Sequence, residues 1–194
     1  HGIAMAASYT HEAMQELIRG NAARYYSEFT AMNEKLSRLA LQTADMLTAS
    51  GHKALPKVPS TAAYDGTHRT PLPHKTVATL AGLGWIGKCA LLVTREYGSA
   101  IRLAVVLTDA PLDCGVPITE SSCDEGCAVC RSVCPGKAVK GKNWHRGLER
   151  EAFYDAFACH EAARKRAERT LGINETICGL CISHCPFTRR ALAY

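Results

Sequence analysis

The sequence predicts an α+β chain in two parts: a scaffold of helices and strands over residues 9–112, and a small thiol-rich unit over 113–194. Three observations predict it. Apolar residues recur at helical steps through residues 9–50, two β-rich runs fall between 90 and 108, and eight of the ten cysteines lie between Cys123 and Cys185. An apolar fraction of 47% suffices for a buried core, and no stretch approaches the ~18 uninterrupted apolar residues of a membrane span. His1-Gly2-Ile3-Ala4 ahead of Met5 reads as an appended cloning scar, so residues 1–8 are set aside as a tail.

Thr10 can N-cap a short helix ending at Gly20, and a longer helix follows from about Ala22. In it Phe29, Met32, Leu36, Leu39, Ala40, Ala44 and Leu47 mark one buried stripe, and Gly51 stands where a glycine closes a helix. From His52 to Pro73 four prolines and the Tyr64-Asp65-Gly66 turn exclude a long helix, leaving an extended segment able to present functional side chains. A helix resumes near His74 and runs into Gly82-Leu-Gly-Trp-Ile-Gly-Lys88. The runs Ala90–Thr94 and Ile101–Thr108, joined through Tyr97-Gly98-Ser99, predict a hairpin. A shift of composition at residues 109–113 places the domain boundary there. Leu148 to Thr170 reads as one helix, with Leu148, Phe153 and Phe157 apolar and Arg164, Lys165, Arg166 and Arg169 basic. That basic end suits the helix dipole, and alternatively an acidic electron donor.

The glycine string imitates two nucleotide motifs and satisfies neither. Gly82, Gly84 and Gly87 have G-x-G-x-x-G spacing, but a helix precedes them and strands follow, the reverse of what a dinucleotide site needs. A phosphate loop requires Ser or Thr after its lysine to hold Mg²⁺, and Cys89 follows Lys88. The glycines establish a sharply turning backbone that lets something approach closely.

The cysteines carry the chemistry. Cys123-x3-Cys127-x2-Cys130-x3-Cys134-Pro135 is followed by Cys178-x2-Cys181-x3-Cys185-Pro186, with Cys159 alone between. Two runs ending in Cys-Pro match the bacterial ferredoxin pattern, in which the last cysteine of each run ligates the other cluster. On that rule Cys123, Cys127, Cys130 and Cys185 hold one [4Fe–4S] cluster. Cys134, Cys178 and Cys181 hold a second, with Cys159 the candidate fourth ligand. A disulfide framework would need an oxidising compartment, whereas no secretory segment opens the chain, which points to the cytoplasm. A zinc ribbon wants two Cys-x2-Cys knuckles, and these runs supply too many close thiols for one tetrahedral ion. The formal charge of +5 counts thiols as neutral; two cubanes at about −2 each bring the loaded chain to about +1, so charge gives no argument for nucleic acid. Cys89 reads as a small buried hydrophobe and Cys114 as spare, able to replace a ligand if the wider first spacing disrupts its run. His160 and His184 neighbour ligand cysteines and could tune cluster potentials. Trp85 and Tyr97 are core residues by default, or stacking partners of a planar cofactor.

Residues 81–88, Tyr97-Gly98-Ser99, Leu107-Thr108-Asp109 and both Cys-Pro runs resemble the epoxyqueuosine reductase and corrinoid-dependent reductive dehalogenase family. The resemblance is specific over about Lys75 to Phe187. It implies a partial nitroreductase-like α/β domain of corrinoid type ahead of a ferredoxin-like two-cluster domain, and it implies the same role for Cys159. By resemblance, Gly82, Gly84, Trp85, Gly87 and Lys88 would lie against a cobalamin reduced by the clusters. The family's catalytic Asp precedes the first glycine by fourteen residues; here that place is taken by His68, with Asp65 and Tyr64 as nearby alternatives. The implied function is that of an iron–sulfur oxidoreductase or electron-transfer protein. Alternatives are a cobalamin-dependent reductase of a small molecule or modified nucleoside, and an electron-donating activator of a separate corrinoid protein. The implied partners are a ferredoxin or flavodoxin donor, a corrinoid or corrinoid protein, no membrane, and nucleic acid only as a tRNA substrate.

Overall fold

The computed structural model describes residues 1–59 and 66–193. Its centre is strand β5 (Ile101–Thr108), flanked antiparallel by β1 (Gly2–Ser8) and β2 (Ala54–Lys57). Residues 1–8 are therefore part of the fold and not a tail: they pair with β5 from Gly2↔Leu107 to Ser8↔Ile101. The physical reason is period-two alternation. Ile3, Met5 and Ala7 pack towards the core that holds Leu36, Ala40, Ala104 and Val106, while Ala4 packs on the opposite side with Ala78 and Leu92. β2 lies within the stretch expected to be irregular, and its Pro56 is tolerated because an edge strand leaves one side of its backbone without a ladder.

Helices α1 (His11–Ile18) and α2 (Ala23–Ala49) follow the expected pattern, the Thr10 hydroxyl accepting from the Ala13 N–H as N-cap. Tyr25, Met32, Leu36, Ala40 and Ala44 form the buried stripe of α2, each large apolar side chain stabilising the fold by roughly 2 kcal/mol. Leu39, counted into that stripe from its spacing, is 39% exposed. Helix α3 (His74–Leu80) crosses the other face of the sheet.

The expected hairpin is replaced by a different one. β3 (Trp85–Ile86) pairs with β4 (Leu92–Val93), while β5 joins the larger sheet. The Gly87 N–H donates to the Leu91 carbonyl and the Ala90 N–H to that of Gly87, closing a tight turn that carries Lys88 and Cys89 at its tip.

The thiol-rich unit contains short helices α4 (Val129–Ser132), α5 (Arg150–Phe153), α7 (Leu180–Ser183) and α8 (Pro186–Ala191), and one long helix, α6 (Ala156–Leu171). The single helix expected over 148–170 breaks at Tyr154-Asp155 because extended backbone there pairs with the segment that follows the first cysteine run. Tyr154 bridges to Val139, and the Asp155 N–H donates to the Ala138 carbonyl at 2.8 Å. The mixed helix-and-strand class holds. The boundary expected near residue 113 is spanned by one apolar cluster joining Tyr9, Met14 and Leu17 to Ala167, Ile177 and Ile182. Among the described residues no helix is long and apolar enough to cross a membrane.

Candidate metal centre

Two adjoining cavities lie between the hairpin tip and the cysteine runs. The first, of about 300 Å³, is lined by Cys123, Cys127, Cys130 and Cys185, with Cys181 also reaching its wall. The second, of about 180 Å³, is lined by Cys134, Cys159, Cys178 and Cys181. The fourth cysteine of the first run thus stands in the second cavity, and the last cysteine of the second run stands in the first.

Local structure explains each placement. Cys130 rides on α4 and Cys181 on α7. Pro186 opens α8 at a position where a missing N–H costs nothing, leaving Cys185 as its N-cap. Cys159 occupies the first turns of α6, whose N-cap Asp155 accepts from the Phe157 and Ala158 N–H groups at 3.0 Å. The break before α6 brings this turn alongside Cys134, whose sulfur accepts from the Ala138 N–H at 3.3 Å. The loop bearing Cys123 and Cys127 is held from three sides. Ser121 accepts from the Cys123 N–H, Asn143 donates to the Cys123 carbonyl, and the buried Lys88 ammonium donates to the carbonyls of Asp124, Glu125 and Cys127 at 2.9, 2.8 and 3.0 Å. All three ammonium donors are thereby satisfied.

The Tyr97-Gly98-Ser99 turn seats the other side of the first cavity. The Ser99 N–H donates to the Thr188 hydroxyl at 3.0 Å, and the Ser99 hydroxyl bonds the Cys185 thiol. Burial pushes the Cys159, Cys178 and Cys185 thiols above their ordinary range, opposed at Cys159 by a hydrogen bond from Tyr154. At Cys89 a hydrogen bond with Cys130 lowers the thiol, but one with Cys181 together with burial outweighs it and holds Cys89 well above its usual range. Any group that takes these sulfurs as thiolates must therefore offset burial and release protons.

A mononuclear and a polynuclear centre make different demands on the donor set. A single zinc ion needs sulfurs converging at about 2.3 Å, and among the described residues no three His, Cys, Asp or Glu side chains converge on one ion. Four sulfurs ringing a space of 180 or 300 Å³ suit a polynuclear group.

The residues of the glycine string lie in and around the β3–β4 hairpin. Gly84 packs so closely that a Cβ would stand 2.2 Å from the Val93 carbonyl oxygen, Gly82 lies against Val116, and Trp85 is buried edge-on to Phe187. Gly87 and Lys88 line the first cysteine cavity. None of the five lines the larger open cavity of about 360 Å³, which reaches Thr70, His74, Lys75 and Arg102. His68 packs its ring against Phe157 and His160, at 4.9 and 4.6 Å between centroids. Tyr64 and Asp65 lie outside the described residues. Neither His160 nor His184 lines a cysteine cavity; His184 approaches the Leu180 carbonyl and Ser183. Cys114 is exposed and lines neither cysteine cavity, its sulfur 3.3 Å from the His1 ring. Tyr97 is 45% exposed. Sequence reasoning missed three contributors: Tyr154 at Cys159, the Ser99–Thr188 pair, and Cys89, which lines both cavities. Only Cys89 gave a signal, as a thiol left over beside a glycine turn.

Fold and site together define a class: an α+β protein with two adjoining cavities, each lined by several cysteines from interleaved runs. No family model matches the chain. Curated proteins to which it is similar include epoxyqueuosine reductases. That of Gloeobacter violaceus is 36% identical over 130 residues, 62% of this chain and 37% of its own length. That of Synechococcus sp. is 32% identical over 123 residues, 63% of this chain and 38% of its own. An epoxyqueuosine reductase solved with a modified tRNA stem loop aligns over 75% of this chain and 36% of its own, with 25% identity and a TM-score of 0.51. The catabolic reductive dehalogenase NpRdhA shares the fold over 97% of this chain and 25% of its own, at 18% identity and a TM-score of 0.60. The chain therefore spans little more than a third of the curated relatives it matches.

Proposed function

We propose that this chain is the electron-handling portion of an oxidoreductase, holding one [4Fe–4S] cluster on Cys123, Cys127, Cys130 and Cys185 and a second on Cys134, Cys159, Cys178 and Cys181. The observation that carries this reading is the crossed sorting of eight cysteines into two adjoining cavities. Such clusters, when bound, supply successive one-electron transfers. The protein's own groups do the rest. Lys88 and Asn143 fix the loop of the first set, while the Ala138 N–H and the Tyr154 hydroxyl donate to sulfurs of the second. Donors to sulfur stabilise the more negative reduced state, and burial opposes it.

The outlet of the second cavity supports an acceptor. Phe29, Leu91, Arg102, Thr176 and Ile182 line both it and the open 360 Å³ cavity, where His74 and Lys75 offer donors and the Arg102 guanidinium lies 4.3 Å over the Phe29 ring. This arrangement favours a second reading: a cobalamin-dependent reductase of a small molecule or of a modified tRNA nucleoside. One solved neighbour is described as performing B12-dependent dehalogenation. The open cavity would present one face of the corrinoid. His68, two residues before the cavity-lining Thr70, is the candidate proton donor, with Asp65 and Tyr64 as alternatives. A ferredoxin or flavodoxin in the cytoplasm is the proposed donor of electrons. A separate corrinoid protein is the alternative acceptor.

Anaerobic reconstitution tests the cluster assignment. About eight iron and eight sulfide per chain, with visible absorption that bleaches on reduction, is expected. About four of each, or zinc in their place, would overturn it. Cys159→Ala should retain about half the iron. Titration with cobalamin separates the acceptors: a saturable spectral shift supports the resident corrinoid, and its absence supports transfer to another protein.

A further inference from the structure

The open cavity of about 360 Å³ is lined by three basic side chains, His74, Lys75 and Arg102, and among the described residues no carboxylate lines it. Lys75 and Lys88 differ in their partners. The Lys88 ammonium gives all three donors to backbone carbonyls, whereas the Lys75 ammonium reaches one, that of Ala90 at 2.6 Å. Arg102 donates through Nε to Asn33 at 3.0 Å, and its guanidinium lies 4.3 Å over the Phe29 ring. These contacts fix the group and leave its terminal nitrogens without a hydrogen-bond partner among the described residues. Neither cation has an ion-pair partner among those residues. Two cations withdrawn from water on one wall, with no counter-charge, are a standing cost to the fold. The wall around them is apolar, with Leu91, Leu92 and Ile182.

We propose that the open cavity is an oxyanion site, taking an organic ligand whose phosphate or carboxylate group is held by Lys75 and Arg102 while its apolar body lies against Leu91, Leu92 and Ile182. The inference deepens the reading of this cavity as the acceptor's place, on which it rests, by adding the charge of what docks there. Lys75 brings two ammonium donors that the protein leaves unfilled, and Arg102 brings the forked N–H groups that match an oxyanion. The bound anion supplies the missing counter-charge. No bond is made or broken in the step.

Calorimetric titration of the reconstituted full chain with phenyl phosphate, benzoate and uncharged benzyl alcohol tests it. At least one anion should bind saturably and about tenfold or more tightly than the alcohol, the margin that charge-assisted hydrogen bonds supply. Lys75→Met should weaken that anion by about tenfold or more, and Lys75→Arg should restore most of the affinity. The same anion should raise the melting temperature of the unsubstituted chain and leave that of Lys75→Met in place. Tighter phenyl phosphate identifies a phosphate ester, and tighter benzoate a carboxylic acid. Displacement of the anion by cobalamin assigns the oxyanion to the corrinoid's own phosphodiester; binding that persists beside cobalamin assigns it to a separate substrate. Absence of saturable binding by either anion, alcohol bound as tightly as both, or anion affinity unchanged in Lys75→Met overturns the inference. Full iron and cobalamin binding alongside any of these leave the proposed function standing. Anion binding to a chain that takes up neither iron nor cobalamin removes that function and keeps the oxyanion site.

Discussion

Lys75 and Lys88 show what a residue's surroundings decide. Both long side chains reach inward to backbone carbonyls, Lys88 to three and Lys75 to that of Ala90 at 2.6 Å. Burial pulls the Lys75 ammonium down to about 8, with the charge of Arg150 adding to the effect and the Cys89 sulfur opposing it. Below about pH 8 lysine is charged in both folded and unfolded chains, so the cost of burying the charge is complete. Between about 8 and the ordinary 10.5 the folded chain gives up its proton first, and that cost is relieved as pH rises. Lys75→Met should therefore be more stable relative to the unsubstituted chain at pH 7 than at pH 10, with the difference narrowing across that window in denaturant melts. A pH-independent difference would show that Lys75 titrates normally. The grouping of the cysteines was legible at this scale because their spacing along the chain already sorts them towards the two cavities. The role of Lys88 was not, since its partner carbonyls lie 36 to 39 residues further along the chain and only the fold brings them near.

Among the elements, those that seat cysteines were the hardest to read. The α1–α2 pair was legible from caps and apolar spacing, because those signals are local. The break between α5 and α6, the β3–β4 hairpin and strand β1 were not, because each depends on a partner distant in sequence. The Tyr97-Gly98-Ser99 turn gives this dependence a test. Gly98 has a φ of +56°, and a Cβ there would stand 2.2 Å from the Thr188 nitrogen in the first turns of α8. A side chain must push α8 outward, and with it Cys185 at its N-terminus. Gly98→Ala should destabilise the chain by about 2 kcal/mol or more, from left-handed strain and overlap together. It should also lose iron from the first set, retaining about half after reconstitution. Thr188→Ala removes the hydroxyl that accepts from the Ser99 N–H, and should cost about 1–2 kcal/mol while keeping its iron. Equal iron retention in both variants would separate the turn from the seating of Cys185.

For the whole molecule, the scaffold and the cysteine unit share one apolar cluster across the boundary expected from composition. The sheet and helices place Tyr9, Met14, Leu17 and Tyr25 against Ile177 and Ile182 of the second cysteine run, and the hairpin tip plugs the wall between the two cavities. Composition could suggest a boundary at residues 109–113, because thiol density changes there, but it carries no information on which apolar faces meet across it. If metal ligation occurs only in the folded chain, binding free energy is folding free energy for the entire body. Chelating the clusters would leave thiol-lined spaces of about 180 and 300 Å³ beside the shared apolar cluster. At about 24 cal/mol per Å³ the smaller alone represents a loss on the order of 4 kcal/mol if it does not collapse or fill with water. For a chain of this size each kcal/mol moves the melting temperature by about 2–4 °C, so the apo-protein should melt roughly 10 °C or more below the loaded one. The helical signal of α1 and α2 should be lost in the same transition as the visible absorption of the clusters. Helical melting at one temperature in both forms would mean instead that the N-terminal core folds independently of the metal centre.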